Sequence, residues 1–296
     1  MSGTVILDFD GTMYETPCTD IPKLEDAIDL SMLQLLVDKI TSSSKGISSK
    51  VLQSLDILFS SLDKTAIGAN LYNQNAGISG CKSSGLAARI SDSNISFSSL
   101  LKEIRTKTAA GKASNKTKLF CARALAKMMH PTVEGNHRVS GMLNIGLDIT
   151  QDEIAAYYRK YATIKYKSIK PNKLIRDIVQ KAIENGDNLI IYTDNSKENI
   201  ITNLATLGYD YKKFVMIVDM FDCGGFTKKT KRGRDTFSEI MKHKGINLQN
   251  AAFYDDNTKI CEQMARHLNI SSYLVNPDKL AIIPSLPMKL NQPLRQ

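Results

Sequence analysis

The chain has 296 residues, 42% hydrophobic and 23% charged, enough to bury the core of one large domain with an insert. No apolar run approaches the roughly 18 residues of a bilayer span, and the N-terminus has no basic start before an apolar core, so neither a membrane nor a secreted protein is expected. The net charge of +9 points toward anionic ligands, and five scattered cysteines with no C-x-x-C pair suit reduced thiols in a cytoplasmic protein.

In chain order, Thr4-Val5-Ile6 reads as a buried parallel strand running into Leu7-Asp8-Phe9-Asp10-Gly11-Thr12. Two carboxylates at i, i+2 beyond a strand end repel one another and lose solvation, which a fold tolerates mainly beside a cation. A helix cap or a turn is the simpler reading of the hexapeptide taken alone. A polar exit from Tyr14 to Cys18 follows, then helical spacing over Ile21 to Ile40 (Leu24, Ile28, Met32, Leu35, Leu36, Ile40) and again over Lys50 to Leu62. From Asn73 to Lys118 the composition turns to Ser, Gly, Asn and Lys, which predicts loops with a short helix near Phe97 to Lys107. Helical signal returns over Lys118 to Met129, ahead of Pro131, and Thr150-x-x-Glu153 is a capping box opening a helix from Gln151 to Tyr161.

Beyond Lys170-Pro171 strands and helices alternate. The spacing predicts helices over Asn172 to Asn185, Lys197 to Leu207, Asp235 to Lys244 and Thr258 to His267. It predicts strands over Asn188 to Tyr192, Phe214 to Val218, Ala251 to Tyr254 and Ser272 to Val275. That alternation specifies an α/β class: a doubly wound parallel sheet with helices on both faces. The tail from Pro277 reads as loose or surface-hugging. The domain is thus written in two pieces, 1–13 and 168–296, separated by a mostly helical insert, 14–167. An insert at this point is expected to lie over the active face as a lid.

Basic residues concentrate in two places. One is the stretch from Lys82 to Lys118, with Arg89, Lys102, Arg105, Lys107, Lys112 and Lys116 between. The other is Lys228-Lys229-Thr230-Lys231-Arg232-Gly233-Arg234. A solvated face explains the first stretch more simply than a nucleic-acid patch, because few aromatics accompany it.

Four strand-end signals now stand in order: Asp8-Phe9-Asp10-Gly11-Thr12, Thr193, Lys231 and Asp255-Asp256. Together they resemble the four signature motifs of the haloacid dehalogenase (HAD) superfamily. The likeness implies a Rossmann-like HAD core with an inserted helical cap. Lys228 and Lys229 compete for the lysine position, and Lys231-Arg232-Gly233-Arg234-Asp235-Thr236-Phe237 matches the family's Lys, Asp and Phe positions, which selects Lys231 with Lys229 as the alternative. The resemblance implies Asp8 as nucleophile, Asp10 as general acid and base, Thr193, Asp194 and Lys231 around the phosphoryl group, and Mg2+ held by Asp8, Asp10 (through its backbone carbonyl), Asp255 and Asp256. Dehalogenase members lack the acid at Asp10, and transport ATPases carry Lys-Thr where this chain has Phe9-Asp10. A phosphatase is therefore implied.

A finer likeness to the pyrimidine 5′-nucleotidase group rests on Gly146-Leu147-Asp148-Ile149-Thr150, Tyr157-Tyr158, Ile169-Lys170-Pro171, Tyr14, Tyr192-Thr193-Asp194-Asn195 and Asp255-Asp256-Asn257. It implies a small phosphorylated, nucleotide-like substrate. The alternatives are a HAD-derived scaffold that engages nucleic acid or a protein through its basic insert, and a phosphoprotein phosphatase.

Overall fold

The structure, a computed structural model, describes residues 3–15, 18–42, 48–63, 95–109, 115–129, 137–276 and 281–285. Among these a six-stranded sheet has the order β3 (Met216–Val218), β2 (Asn188–Tyr192), β1 (Thr4–Leu7), β4 (Ala251–Asp255), β5 (Ser271–Asn276), β6 (Ala281–Pro284). β1 lies in the middle and pairs in parallel with both β2 and β4, so that Leu7 stands between Ile191 and Tyr254. Only β6 runs antiparallel, with Val275 opposite Ile282. It replaces part of the loose tail expected from Pro277. Pro284 closes an edge strand, where a missing N–H costs no ladder bond.

One face of the sheet buries Ile6, Ile190, Tyr192, Val218 and Phe253 against Phe237, Met241, Ile260 and Met264. Those four partners come from helices that follow β3 and β4, and Tyr192 and Phe237 stack with ring centres 4.1 Å apart. Alternation sends Leu7, Leu189 and Ile191, all buried, to the opposite face. A helix over Lys173–Asn185 packs along β2, burying Ile175, Val179 and Ala182. Burial on both faces is why β1 and β2 read as near-continuous apolar runs.

The chain divides into two units, one of residues 1–21 and 164–296 and the other of residues 22–163. Both boundaries differ from the expected 13/14 and 167/168, because hydrogen bonds tie the flanking segments to the sheet unit. Tyr14 bridges Pro171, and the Glu15 N–H donates to Lys170 O at 2.8 Å. Buried Asp20 accepts from the N–H groups of Lys167 and Ser168 at 2.7 and 3.2 Å.

The second unit is helical in its described residues: α1 (Ile21–Ser42, whose first residue belongs to the sheet unit), α2 (Ser49–Ser60), α3 (Phe97–Ala109), α4 (Asn115–Met129), α5 (His137–Leu143) and α6 (Gln151–Tyr161). Phe59, Phe97 and Phe120 form its aromatic centre, and the capping box at Thr150 and Glu153 is formed. Helix α5 had no counterpart in the periodicity. Much of the basic stretch, including Lys82, Arg89 and Lys112, lies outside the described residues. Among the described residues no helix is long and apolar enough to cross a membrane. The helices of the sheet unit are α7 (Lys173–Asn185), α8 (Lys197–Thr206), α9 (Lys231–His243) and α10 (Thr258–Leu268).

Asp20→Ala leaves two backbone N–H groups of the sheet unit without their acceptor. Urea unfolding is expected to show a loss of about 2 kcal/mol; an unchanged midpoint would show that the Asp20 contacts do not hold this segment.

Candidate active site

The carboxyl ends of β1 and β4 lie side by side, which brings Asp8 and Asp255 together. The Asp8 N–H continues the ladder to Tyr254 O at 2.9 Å. Oxygens of Asp8, Asp255 and Asp256 all come within 4.8 Å of one another. Asp8 and Asp255 are buried, whereas Asp256 sits at the exposed rim. Gly11 makes room for this arrangement. Its φ is +77°, and a Cβ there would stand 2.2 Å from Asp256 Oδ2.

The lysine among these carboxylates is Lys228. Its buried ammonium pairs with Asp8 and lies 2.7 Å from Asp255 Oδ2. This corrects the choice of Lys231, with Lys229 as its alternative: both are exposed. The physical reason is the start of α9. Thr230 is its N-cap, accepting from Gly233 N–H at 3.0 Å, so Lys231 opens the first turn and Lys228 stays in the preceding loop. The loop is fixed on several sides. A Cβ on Gly233 would meet Thr227 O at 2.1 Å, the Arg234 guanidinium donates to Lys228 O at 2.9 Å, and Lys228 N–H donates to Asp194 Oδ1 at 2.9 Å. Asp194, expected near the phosphoryl group, lies beside this loop, its carboxylate accepting from Lys228 N–H.

The electrostatics show an excess of negative charge. Burial pushes the Asp8 carboxyl well above the usual range, with Asp255 and Asp10 adding to the rise and Lys228 opposing it. Partial desolvation and then the charge of Asp255 push Asp256 up to about 6. Burial works against the charge on Lys228, yet Asp255, Asp8 and Asp194 together hold its pKa well above the ordinary lysine value. Among the described residues Lys228 is the one lysine with a buried side chain. A cluster of oxygen donors with more negative charge than its lysine can balance fits a hard divalent cation.

Thr193, at the end of β2, is buried, and its hydroxyl accepts from Asn195 N–H at 3.1 Å. That use of its lone pair keeps the hydroxyl hydrogen available for an anionic oxygen. Asp10 lies in a different environment from Asp8. Its carboxylate accepts from Tyr14 hydroxyl at 2.9 Å, Asn195 Nδ2 at 3.1 Å and Tyr166 hydroxyl at 3.4 Å. Burial raises its pKa, while the donors from Tyr14 and Asn195 pull it back. Burial, reinforced by the charge of Asp10, also raises both phenols, so Tyr14 and Tyr166 remain donors.

The structure thus gathers Asp8, Asp255, Asp256 and Lys228, and gives Asp10 its own set of donors. Sequence reasoning weighed Lys228 and passed it over for Lys231, and it gave Tyr166 and Arg234 no role in the site. The Thr230-x-x-Gly233 spacing carried a signal for Lys228, because a helix capped at Thr230 places Lys231 inside it.

The family model for haloacid dehalogenase-like hydrolase matches residues 100–275, more than half of the chain. No curated protein sequence matches the chain. Among solved structures, a HAD family enzyme of Bacteroides thetaiotaomicron is similar at 10% identity, over 93% of this chain and 94% of that one, with a TM-score of 0.37. The L-2-haloacid dehalogenase of Xanthobacter autotrophicus follows at 10% identity, 93% and 78% coverage and a TM-score of 0.35. The UTR4 protein of Saccharomyces cerevisiae stands at 12%, 93% and 89%, with a TM-score of 0.34. On the match to the family model, over an α/β sheet that carries a helical insert, the chain belongs to the haloacid dehalogenase-like hydrolases.

Proposed function

We propose that this hydrolase is a magnesium-dependent phosphomonoesterase that works through an aspartyl-phosphate on Asp8. One observation carries the reading: a second carboxylate, Asp10, stands two residues beyond Asp8 and is held by three neutral side-chain donors. Halide departs without a proton, so displacement of a halide has no use for such a group. The alkoxide leaving from a phosphomonoester needs one.

Asp8 attacks phosphorus, and the ester P–O bond breaks as Asp10 gives its proton to the leaving oxygen. Water then attacks the phosphorus of the aspartyl-phosphate and returns a proton to Asp10, releasing phosphate and restoring Asp8. Lys228 offsets charge on Asp8 and on the transferring group, and Thr193 donates to a phosphoryl oxygen. Asp8, Asp255, Asp256 and the Asp10 backbone carbonyl would hold Mg2+, which supplies neutralisation of the phosphoryl charge when bound. The nucleotidase likeness makes nucleoside monophosphates the first substrates to assay, with phosphopeptides and nucleic acid as the comparison panel.

Phosphate release should be abolished in Asp8→Asn. Lys228→Ala is expected to lower kcat at least about 100-fold, whereas Lys231→Ala stays within about twofold of wild type, as for an exposed surface charge. Equal losses at both lysines, or none at Lys228, would remove Lys228 from the mechanism.

Magnesium and protons compete for the same carboxylates. Asp256, and with it Asp8 and Asp10, titrates higher in the folded state than in the unfolded one. In the metal-free protein these raised carboxyls contribute stability at low pH that is lost as pH rises through their folded values, which for Asp256 is about 6. The rise in Tm on adding magnesium should accordingly be larger at about pH 7 than at about pH 5. No rise at either pH would exclude a magnesium site at these carboxylates.

A further inference from the structure

We infer that Tyr166 is a positioning residue that orients the Asp10 carboxyl and leaves Oδ2 as the oxygen through which the proton passes; the inference rests on the phosphatase reading above. The two carboxyl oxygens are not equivalent. Oδ1 accepts two hydroxyls, Tyr14 at 2.9 Å and Tyr166 at 3.4 Å, whereas Oδ2 accepts a single N–H, from Asn195 at 3.1 Å. A carboxylate oxygen offers about two acceptor positions. Oδ1 is therefore filled, and Oδ2 keeps one position for a proton. A quarter turn of the carboxyl would take both oxygens away from these donors, so the three contacts fix its plane.

Tyr166 points its hydrogen at Asp10 because its oxygen is already an acceptor. Asn199 Nδ2 and Asn195 Nδ2 approach it at 3.2 and 3.3 Å. Neither amide is free to turn round. Asn195 Oδ1 accepts from Ser196 N–H at 2.8 Å, and Asn199 Oδ1 accepts from Ile164 N–H at 2.9 Å. The backbone of Tyr166 is fixed as well, its N–H donating to Asn203 Oδ1 at 2.8 Å. Its ring meets that of Tyr14 edge-on, with centres 6.0 Å apart, and both side chains are fully buried. This is a preorganised support for one carboxyl, made from neutral groups that neither attack phosphorus nor bind it. In the forward step the proton leaves Oδ2 for the ester oxygen as the P–O bond breaks; in the second step Oδ2 takes a proton from the attacking water.

The test uses leaving groups of graded basicity. Dinitrophenolate departs without a proton, whereas phenolate benefits from one. In Tyr166→Phe, kcat/KM for phenyl phosphate should fall about tenfold further than kcat/KM for dinitrophenyl phosphate. Asn199→Asp keeps the acceptor for Ile164 but gives the Tyr166 hydroxyl a competing acceptor, and it should produce the same tilt. It decides the matter should the phenylalanine variant fail to fold. An equal loss on both substrates, or no loss, overturns the inference and leaves the phosphatase reading standing. Absence of phosphate release by the wild type on every substrate removes that reading and this inference with it.

Discussion

Two parallel strands in register force Asp8 and Asp255 side by side, and the rest of the site answers that repulsion. β1 and β4 pair Leu7 with Tyr254, so the next residue of each strand is an aspartate beside an aspartate. Like charges in a buried setting are costly unless something intervenes. The Lys228 ammonium touches both, and the loop that carries it is fixed by Asp194, by Arg234 and by the missing side chain at Gly233. Apolar residues of similar volume often stabilise a fold as well as a buried ion pair does. This cluster is thus poorly explained by stability alone, and the proposed phosphate and magnesium site gives it a use.

Asp8 and Asp10 share a strand end but not an environment. Asp8 faces a full positive charge and another carboxylate. Asp10 faces two phenols and an amide, all neutral. The Lys228 ammonium leads the opposition to the rise that burial imposes on Asp8, whereas the hydrogen bonds from Tyr14 and Asn195 lead it at Asp10. Two carboxylates placed in environments this different can be assigned different tasks, as the proposed nucleophile and proton carrier require.

What the sequence made legible follows from how each feature is encoded. β1 and β2 are short apolar runs with polar ends, and helices α6 to α8 have side-chain caps at Thr150, Asn172 and Ser196, so their positions could be read almost residue by residue. β6 was hidden because an edge strand of Ala281, Ile282, Ile283 and Pro284 amid prolines has the composition of a tail. The lysine was misplaced because its register was matched on Asp235 and Phe237, inside α9, whose start lies one turn earlier than periodicity placed it. Tyr166 and Asn199 were silent for another reason, and Asn195 stood out only within Tyr192-Thr193-Asp194-Asn195. Isolated polar residues in loops and first turns carry no period, and their meaning arises only when segments more than 150 residues apart in sequence, such as Asp10 and Tyr166, meet.

The position of the insert also has a structural consequence for Asp10. A chain that departs directly after the first acidic pair must come back beside it, and the return segment, 164–171, pairs with the departing one through Tyr14 and Pro171 and through Glu15 and Lys170. It is pinned to α8 by Asn199 and Asn203 and to the outgoing segment by Asp20. Tyr166 lies in that returning segment, so one of the donors to Asp10 is supplied by the fold's need to close the insertion. An insertion at a different strand end would leave Asp10 with Tyr14 and Asn195 alone, and Oδ1 with a vacant acceptor position. The second hydroxyl that separates the two oxygens of Asp10 is therefore a product of topology as much as of local sequence.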